Sequence, residues 1–172
     1  PSSYKNEPIV VDFLYNATHL GGIDDVVDVV GQSLDDSMTD YDLLEMLDEA
    51  SQKVKNQKLL LVGYSQGNFY ANSLFDRISD APGGVPLQSI GVYGVATPDD
   101  HVSNNGKYVT SDTDKLIMGF VAKVKDVMPP NIHIDLKEED GNGHSFLGVY
   151  LKYKSSRIVS DIKESLSRLK AN

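Results

Sequence analysis

The sequence predicts an α/β fold in which a mostly parallel sheet is flanked by helices. Short apolar or β-branched runs alternate with segments whose apolar residues recur at helical spacing, and this alternation is typical of a parallel sheet covered on both faces. One run, residues 59–62, is continuously apolar, as expected of a strand buried in a parallel sheet. Neither a linker composition nor an internal repeat is present, so we expect a single domain over residues 1–172.

The first third of the chain predicts one strand and two helices. Residues 9–15 are β-branched and aromatic and predict a strand, and residues 16–22 contain two glycines and predict a loop. Thr39 can cap the second helix, with Asp42 in the capping-box position. The predicted core face of the first helix is Ile23, Val26, Val27, Val30 and Leu34, and that of the second is Leu43, Leu47, Ala50 and Val54.

The remainder predicts strands at residues 59–62, 87–95 and 116–124. A helix follows the first of them and breaks at residues 81–84, which include Pro82 and two glycines. A last helix closes the chain. The helical spacing is carried by Phe69, Tyr70, Leu74 and Ile78 in the first helix and by Ile158, Ile162, Leu166 and Leu169 in the last.

Charge and composition exclude several functional classes. The formal net charge of −9 argues against nucleic acid or an anionic membrane surface as a partner. The absence of cysteine excludes disulfides, thiolate catalysis and cysteine-ligated metals. No apolar run approaches the roughly 18 residues of a membrane span, and no signal-peptide pattern is visible. The first residue is Pro1 rather than Met, so we expect the natural N-terminus to have been removed or left out; the cell compartment stays open.

The most informative motif is Gly63-Tyr64-Ser65-Gln66-Gly67, between a predicted strand and a predicted helix. A sharp strand-to-helix turn exposes a serine hydroxyl at the carboxyl end of the sheet and leaves room only for small residues two positions away. The Gln66 N–H would then lie at a helix N-terminus and stabilise an oxyanion. We therefore predict Ser65 as a nucleophile with Gly63 and Gly67 as the elbow glycines, the alternative being a glycine-flanked helix cap.

A serine nucleophile needs a base, and the chain has four histidines. His144 lies late in the chain on a flexible glycine-rich turn, from which a base can reach the elbow. His19 falls in a loop, His101 in a polar stretch, and His133 alternates with isoleucines. We predict His144 as the base, the alternative being a surface-turn histidine.

A carboxylate must orient that imidazole. Asp126 follows the predicted strand 116–124 and precedes Pro129 and Pro130, which fix a turn, so we predict Asp126 for this role. The competing acidic residues, which are typical of a solvated face, are Asp135, Glu138, Glu139 and Asp140.

The order Ser65, Asp126, His144 resembles that of the α/β-hydrolase superfamily. The motif at residues 63–67 is similar to the family's Gly-His-Ser-Gln-Gly form, and Asp126-Val127-Met128-Pro129 resembles its acid-bearing turn. Residues 140–151 are similar to the histidine-bearing end of bacterial lipase-like hydrolases, and residues 15–18 resemble a Tyr-Asn-Pro-Thr stretch of some members. The resemblance implies a serine esterase or lipase-like enzyme that acts on a small-molecule or lipid ester, without a metal or an organic cofactor.

The chain departs from that family before the elbow, where only the strand at residues 9–15 is predicted and no His-Gly-Gly-Gly loop is present. Either residues 16–22 supply the second oxyanion donor, or the chain is the C-terminal portion of a larger hydrolase domain. Two other functions remain open: a non-catalytic hydrolase-like binding module, and a nucleotide-binding α/β domain. The latter lacks both common glycine-rich phosphate motifs.

Overall fold

The structure is a computed structural model, and it describes residues 3–11, 57–80 and 86–170. The helices predicted from residues 23 and 39 onward, and the loop at residues 16–22, lie outside the described residues.

The described structure begins with a small antiparallel hairpin of β1 (Ser3–Tyr4) and β2 (Glu7–Pro8). Its two turn residues, Lys5 and Asn6, have φ of 48° and 65°, which matches the twist of a two-residue hairpin loop. The Lys58 ammonium donates to the Glu7 carboxylate at 2.7 Å. This ion pair joins the hairpin to the residue that precedes the next strand.

A parallel three-stranded sheet is the centre of the described structure. It consists of β3 (Leu59–Tyr64), β4 (Ile90–Val95) and β5 (Lys107–Val109), in the order β3-β4-β5. Tyr64 lies opposite Val95, and Val95 lies opposite Val109. The carboxyl ends of all three strands therefore meet along one edge of the sheet.

Two helices cover opposite faces of this sheet. Helix α1 (Gly67–Asp80) packs its Leu74 in one cluster with Val92 of β4. Helix α2 (Lys152–Arg168) packs its Ile158 in a second cluster with Tyr93, the next residue of β4. Because successive strand residues point to opposite faces, the two clusters lie on the two sides of the sheet.

These elements confirm the predicted α/β class and correct several boundaries. Strand β3 continues two residues beyond the predicted run, to Tyr64, and β4 begins at Ile90 rather than at residue 87. All six residues of β4 are buried, as expected for the central strand of a parallel sheet. Strand β5, with only three residues, was not predicted.

The predicted strand at residues 116–124 is wrong. The segment forms hydrogen-bonded turns and a short 3-10 helix, Val121–Lys123. The Asp114 carboxylate accepts hydrogen bonds from the N–H groups of Leu116 and Ile117, both at 3.1 Å, and thereby starts a helical turn. Local backbone bonds such as Ala122 N to Ile117 O, at 2.8 Å, then use the groups that a strand would have paired with a neighbour.

The strand predicted at residues 9–15 is not present where the structure describes that segment. Residues 9–11 follow β2 without strand geometry, and Val10 and Val11 are exposed. β-branched residues favour an extended backbone, but a strand also needs a hydrogen-bonded partner. The rest of this predicted strand lies outside the described residues.

Within the described ranges, no helix combines the length and the apolar composition that crossing a bilayer requires.

Candidate active site

Ser65 occupies a strained turn between β3 and α1. Its φ is +51°, in the left-handed region that residues with a side chain seldom adopt. The Ser65 N–H donates to Val95 O at 3.0 Å, and Ser65 O accepts from both the N–H and the side-chain amide of Asn68, at 3.0 and 2.7 Å. These bonds hold Ser65 at the carboxyl edge of the sheet, as the motif predicts. Asn68 is a supporting residue that sequence reasoning missed.

The two elbow glycines are not equivalent. A Cβ atom at Gly63 would lie 2.7 Å from the backbone Cα of Asn68, so only glycine fits there. A Cβ atom at Gly67 would meet nothing within 4 Å. The prediction that both positions require a small residue is therefore right for Gly63 and wrong for Gly67, where an added methyl group would have open space.

The histidine beside Ser65 is His144. Its Nε2 lies 2.8 Å from Ser65 Oγ, although the two residues are 79 positions apart in the chain. His101 and His133 are exposed and contact other acidic residues, and His19 lies outside the described residues. The structure thus brings the predicted nucleophile and the predicted base together.

The carboxylate on His144 is that of Asp114, and the prediction of Asp126 is corrected. Asp114 Oδ2 lies 2.9 Å from His144 Nδ1, and the Asp114 side chain is completely buried. Asp126 is exposed. Its prediction depended on a strand at residues 116–124 that does not form. The strand that brings an acid to this edge is β5, five residues before Asp114.

The partners of His144 fix its tautomer. A carboxylate can only accept a hydrogen bond, so Nδ1 carries the proton that faces Asp114. Nε2 is then the unprotonated nitrogen and accepts from the Ser65 hydroxyl. Ser65, His144 and Asp114 therefore form a continuous hydrogen-bonded series in which the serine proton can pass to a base.

The glycine-rich turn that carries His144 is held by hydrogen bonds, although its sequence predicts a flexible segment. The His144 N–H donates to Asn142 Oδ1 at 3.0 Å. The Asn142 carbonyl accepts from the N–H of Lys115, the residue that follows Asp114, at 2.9 Å. Gly143 has φ of +79°, and a Cβ atom there would lie 2.8 Å from Leu136 Cδ1. The turn therefore needs glycine at this position in order to present His144 to Ser65.

Tyr64, the last residue of β3, contacts both the ring and the backbone of His144. It was not predicted as a site residue. Its ring stacks on the imidazole with centroids 5.3 Å apart, and its hydroxyl donates to the backbone carbonyl of His144. Burial, and secondarily the charge of Asp114, raise the pKa of the Tyr64 phenol. The phenol therefore stays neutral and remains a donor.

Gln66, the predicted oxyanion residue, lies between Ser65 and the first residue of α1. No described residue accepts a hydrogen bond from its backbone N–H. The N–H lies at the N-terminus of α1, where the helix dipole favours a negative charge. The predicted source of a second donor, the loop at residues 16–22, is outside the described residues.

One cluster of the described residues could offer ligand atoms to a cation: Asp99, Asp100 and His101. Asp99 is already engaged, because its Oδ2 accepts from Asn72 Nδ2 at 2.8 Å and its Oδ1 lies 3.8 Å from Lys125 Nζ. Asp99 Oδ1 also accepts from the Asp100 N–H at 3.0 Å, so both oxygens of this carboxylate already have polar partners.

In comparisons with known proteins, no family model, no curated protein and no solved structure matches the chain.

Proposed function

We propose that this protein is a serine hydrolase that cleaves carboxylic esters through an acyl-enzyme intermediate. Ser65 is the nucleophile, His144 the general base and acid, and Asp114 the carboxylate that orients the imidazole. The observation that carries the proposal is the hydrogen-bonded series from Ser65 Oγ through His144 to Asp114, with distances of 2.8 and 2.9 Å.

The reaction follows from the tautomer of His144. Ser65 Oγ attacks the ester carbonyl carbon while Nε2 takes the hydroxyl proton, and the resulting imidazolium is stabilised by Asp114. Nε2 then gives that proton to the departing alcohol, which leaves an acyl group on Ser65. Water attacks the acyl carbon in the second half, with Nε2 again the base, and returns the free serine and a carboxylic acid. The Gln66 N–H is the proposed donor to the oxyanion of each tetrahedral intermediate.

A helix-cap role for Ser65 has less support. In a helix cap, the serine side chain accepts a hydrogen bond from a backbone N–H of the first turn. Here the Asn68 N–H bonds to the main-chain oxygen of Ser65, while the Ser65 hydroxyl faces His144. A capping serine also has no need of a base held by a buried carboxylate.

The choice of esters, and of an α/β-hydrolase fold, rests on the resemblance of residues 63–67 to the family's elbow motif. The chain order of serine, acid and histidine also agrees with that family when Asp114 replaces Asp126. The parallel sheet with its strand ends at one edge is compatible with this fold.

The test is covalent labelling by a fluorophosphonate probe, combined with turnover of a short p-nitrophenyl ester. We expect the label on the peptide that contains Ser65, no label on Ser65→Ala, and full label on Ser160→Ala, an exposed serine of α2. Full esterase activity of Ser65→Ala would contradict the assignment of Ser65 as the nucleophile. A folded protein that shows neither label on Ser65 nor ester turnover would favour the non-catalytic binding module.

A further inference from the structure

The Asp114 carboxylate receives four hydrogen bonds. Oδ1 accepts from the backbone N–H groups of Leu116 and Ile117, both at 3.1 Å. Oδ2 accepts from His144 Nδ1 at 2.9 Å and from the Tyr150 hydroxyl at 2.8 Å. The proposed triad mechanism uses the first of these two side-chain donors and leaves the second unexplained.

Hydrogen bonds fix both the hydroxyl group and the backbone of Tyr150. Its hydroxyl accepts from the Ser111 N–H at 3.1 Å while it donates to Asp114, and the residue is completely buried. Its backbone belongs to a π-helical turn, Phe146–Leu151, in which Tyr150 N and Val149 N both donate to Ser145 O. Such turns are rare and frequently occur at functional sites.

We propose that Tyr150 is a positioning residue of the site, which holds Asp114 Oδ2 toward His144 and weakens the carboxylate's pull on the protonated imidazole. This inference rests on the proposed hydrolase function for its catalytic meaning, but its physical content can be measured without turnover. No chemical step is assigned to Tyr150, because its hydroxyl faces the carboxylate.

The Tyr150 hydroxyl can donate to Asp114 only while the phenol is neutral. Burial, and secondarily the charge of Asp114, raise the pKa of the Tyr150 phenol, so the hydroxyl keeps its proton at neutral pH. A neutral donor draws negative charge toward itself, and less of that charge then acts on the imidazolium. Among the described residues, the other titratable groups that face the pair are His144 itself and Tyr64 of β3, whose pKa is raised by burial and secondarily by the charge of Asp114, so that it is also neutral.

The experiment follows the ring proton resonances of His144 as a function of pH, assigned by their loss in His144→Ala. In Tyr150→Phe, Asp114 loses one donor, so we expect the midpoint of the His144 titration to rise by about half a unit to one unit. The acid limb of kcat/KM should move in the same direction. The matched control is Tyr153→Phe, which removes a 2.7 Å hydrogen bond to the carboxylate of Asp140 and should leave the midpoint in place.

An unchanged or lowered midpoint in Tyr150→Phe would overturn the inference, and so would an equal shift in Tyr153→Phe. If Tyr150→Phe does not fold, the unsubstituted protein decides: the Tyr150 hydroxyl proton should give a slowly exchanging resonance, and its absence would refute the contact. A raised midpoint in a protein that neither labels nor turns over esters would support the role of Tyr150 and reject the hydrolase.

Discussion

The aromatic rings of Tyr64 and His144 stack on each other with an angle of 29° between their planes, although the two residues are 80 positions apart in the sequence. The residue directly before Ser65 therefore supports His144, the proposed base. The same tyrosine lies against Phe146, with ring centroids 5.0 Å apart. One strand end thus fixes both the serine and the turn that carries the histidine.

Replacing Tyr64 should separate its two contacts. Tyr64→Phe keeps the stacked ring and loses the hydrogen bond to His144 O, so we expect kcat to fall by roughly fivefold, corresponding to about 1 kcal/mol. Tyr64→Ala also loses the ring and should fall at least tenfold further. Steady-state kinetics on a p-nitrophenyl ester would measure both. Full activity in Tyr64→Ala would show that His144 does not need this support.

The identity of the acid can be tested with a matched pair of substitutions. Asp114→Asn removes the acceptor that fixes the His144 tautomer, and we expect kcat to fall by about 10³ to 10⁴. Asp126→Asn changes an exposed side chain and should leave kcat unchanged. Thermal unfolding of both variants separates a loss of chemistry from a loss of fold. If Asp126→Asn lowered kcat and Asp114→Asn did not, Asp126 rather than Asp114 would be the carboxylate of the site.

Ser65 and His144 should act as one unit. Each single alanine variant disables the same proton transfer, so Ser65→Ala combined with His144→Ala should be little slower than either alone. The measurement is the rate of ester hydrolysis above the uncatalysed background for the three variants. If the rate losses of the two single variants multiply in the double variant, the two side chains act in separate steps.

Gly63 and Gly67 should respond differently to alanine. In Gly63→Ala the new methyl group meets the backbone of Asn68 at 2.7 Å, and we expect a loss of about 1–3 kcal/mol in unfolding free energy with weaker labelling of Ser65. In Gly67→Ala the methyl group has open space at the first residue of a helix, so stability should stay within about 0.5 kcal/mol. Chemical denaturation would compare the two. Equal losses would mean that α1 lies closer to β3 than described.

Asp140 should make stability depend on pH in the acid range. Hydrogen bonds from Lys137 N and Lys152 Nζ lower the pKa of the Asp140 carboxyl from 3.8 to about 2, and the Tyr153 hydroxyl adds a third donor. Because the folded state holds this proton less tightly than the unfolded state, the stabilisation is fully present above about pH 4 and is lost as the pH falls through 2. Melting temperatures of the protein and of Asp140→Asn should therefore differ above pH 4 and converge toward pH 2. A difference that persists unchanged at pH 2 would contradict this assignment.

Local sequence information was sufficient to predict the strand-to-helix turn at Ser65, but not the carboxylate that contacts His144. A continuous apolar run, two glycines and a helical rhythm lie within twenty residues of Ser65, and each acts through its immediate neighbours. The position of Asp114 depends on β5, which is only three residues long and gains its stability from pairing with β4. The apolar residues 116–124 led to the wrong prediction of a strand. What makes this segment turn is the Asp114 carboxylate, which accepts hydrogen bonds from the next turn's N–H groups, and the apolar pattern does not reveal these bonds.

The aromatic residues of the site were missed for a related reason. Tyr64 and Tyr150 contact His144 and Asp114 across 80 and 36 residues of chain, and nothing within either segment distinguishes them from ordinary core tyrosines. His144 could be predicted because a late histidine on a glycine-rich turn has few competitors in a chain with four histidines.

The π-helical turn at Phe146–Leu151 limits which changes of length the chain can accept. Its extra residue sets the rotation at which α2 begins, because each residue of a helix turns the chain by about 100°. Deleting one residue there would either swing the Tyr150 hydroxyl away from Asp114 or rotate Ile158 of α2 out of its cluster with Tyr93. We therefore expect homologous chains that keep this site to carry the same number of residues between His144 and Ile158, while insertions and deletions accumulate in other turns.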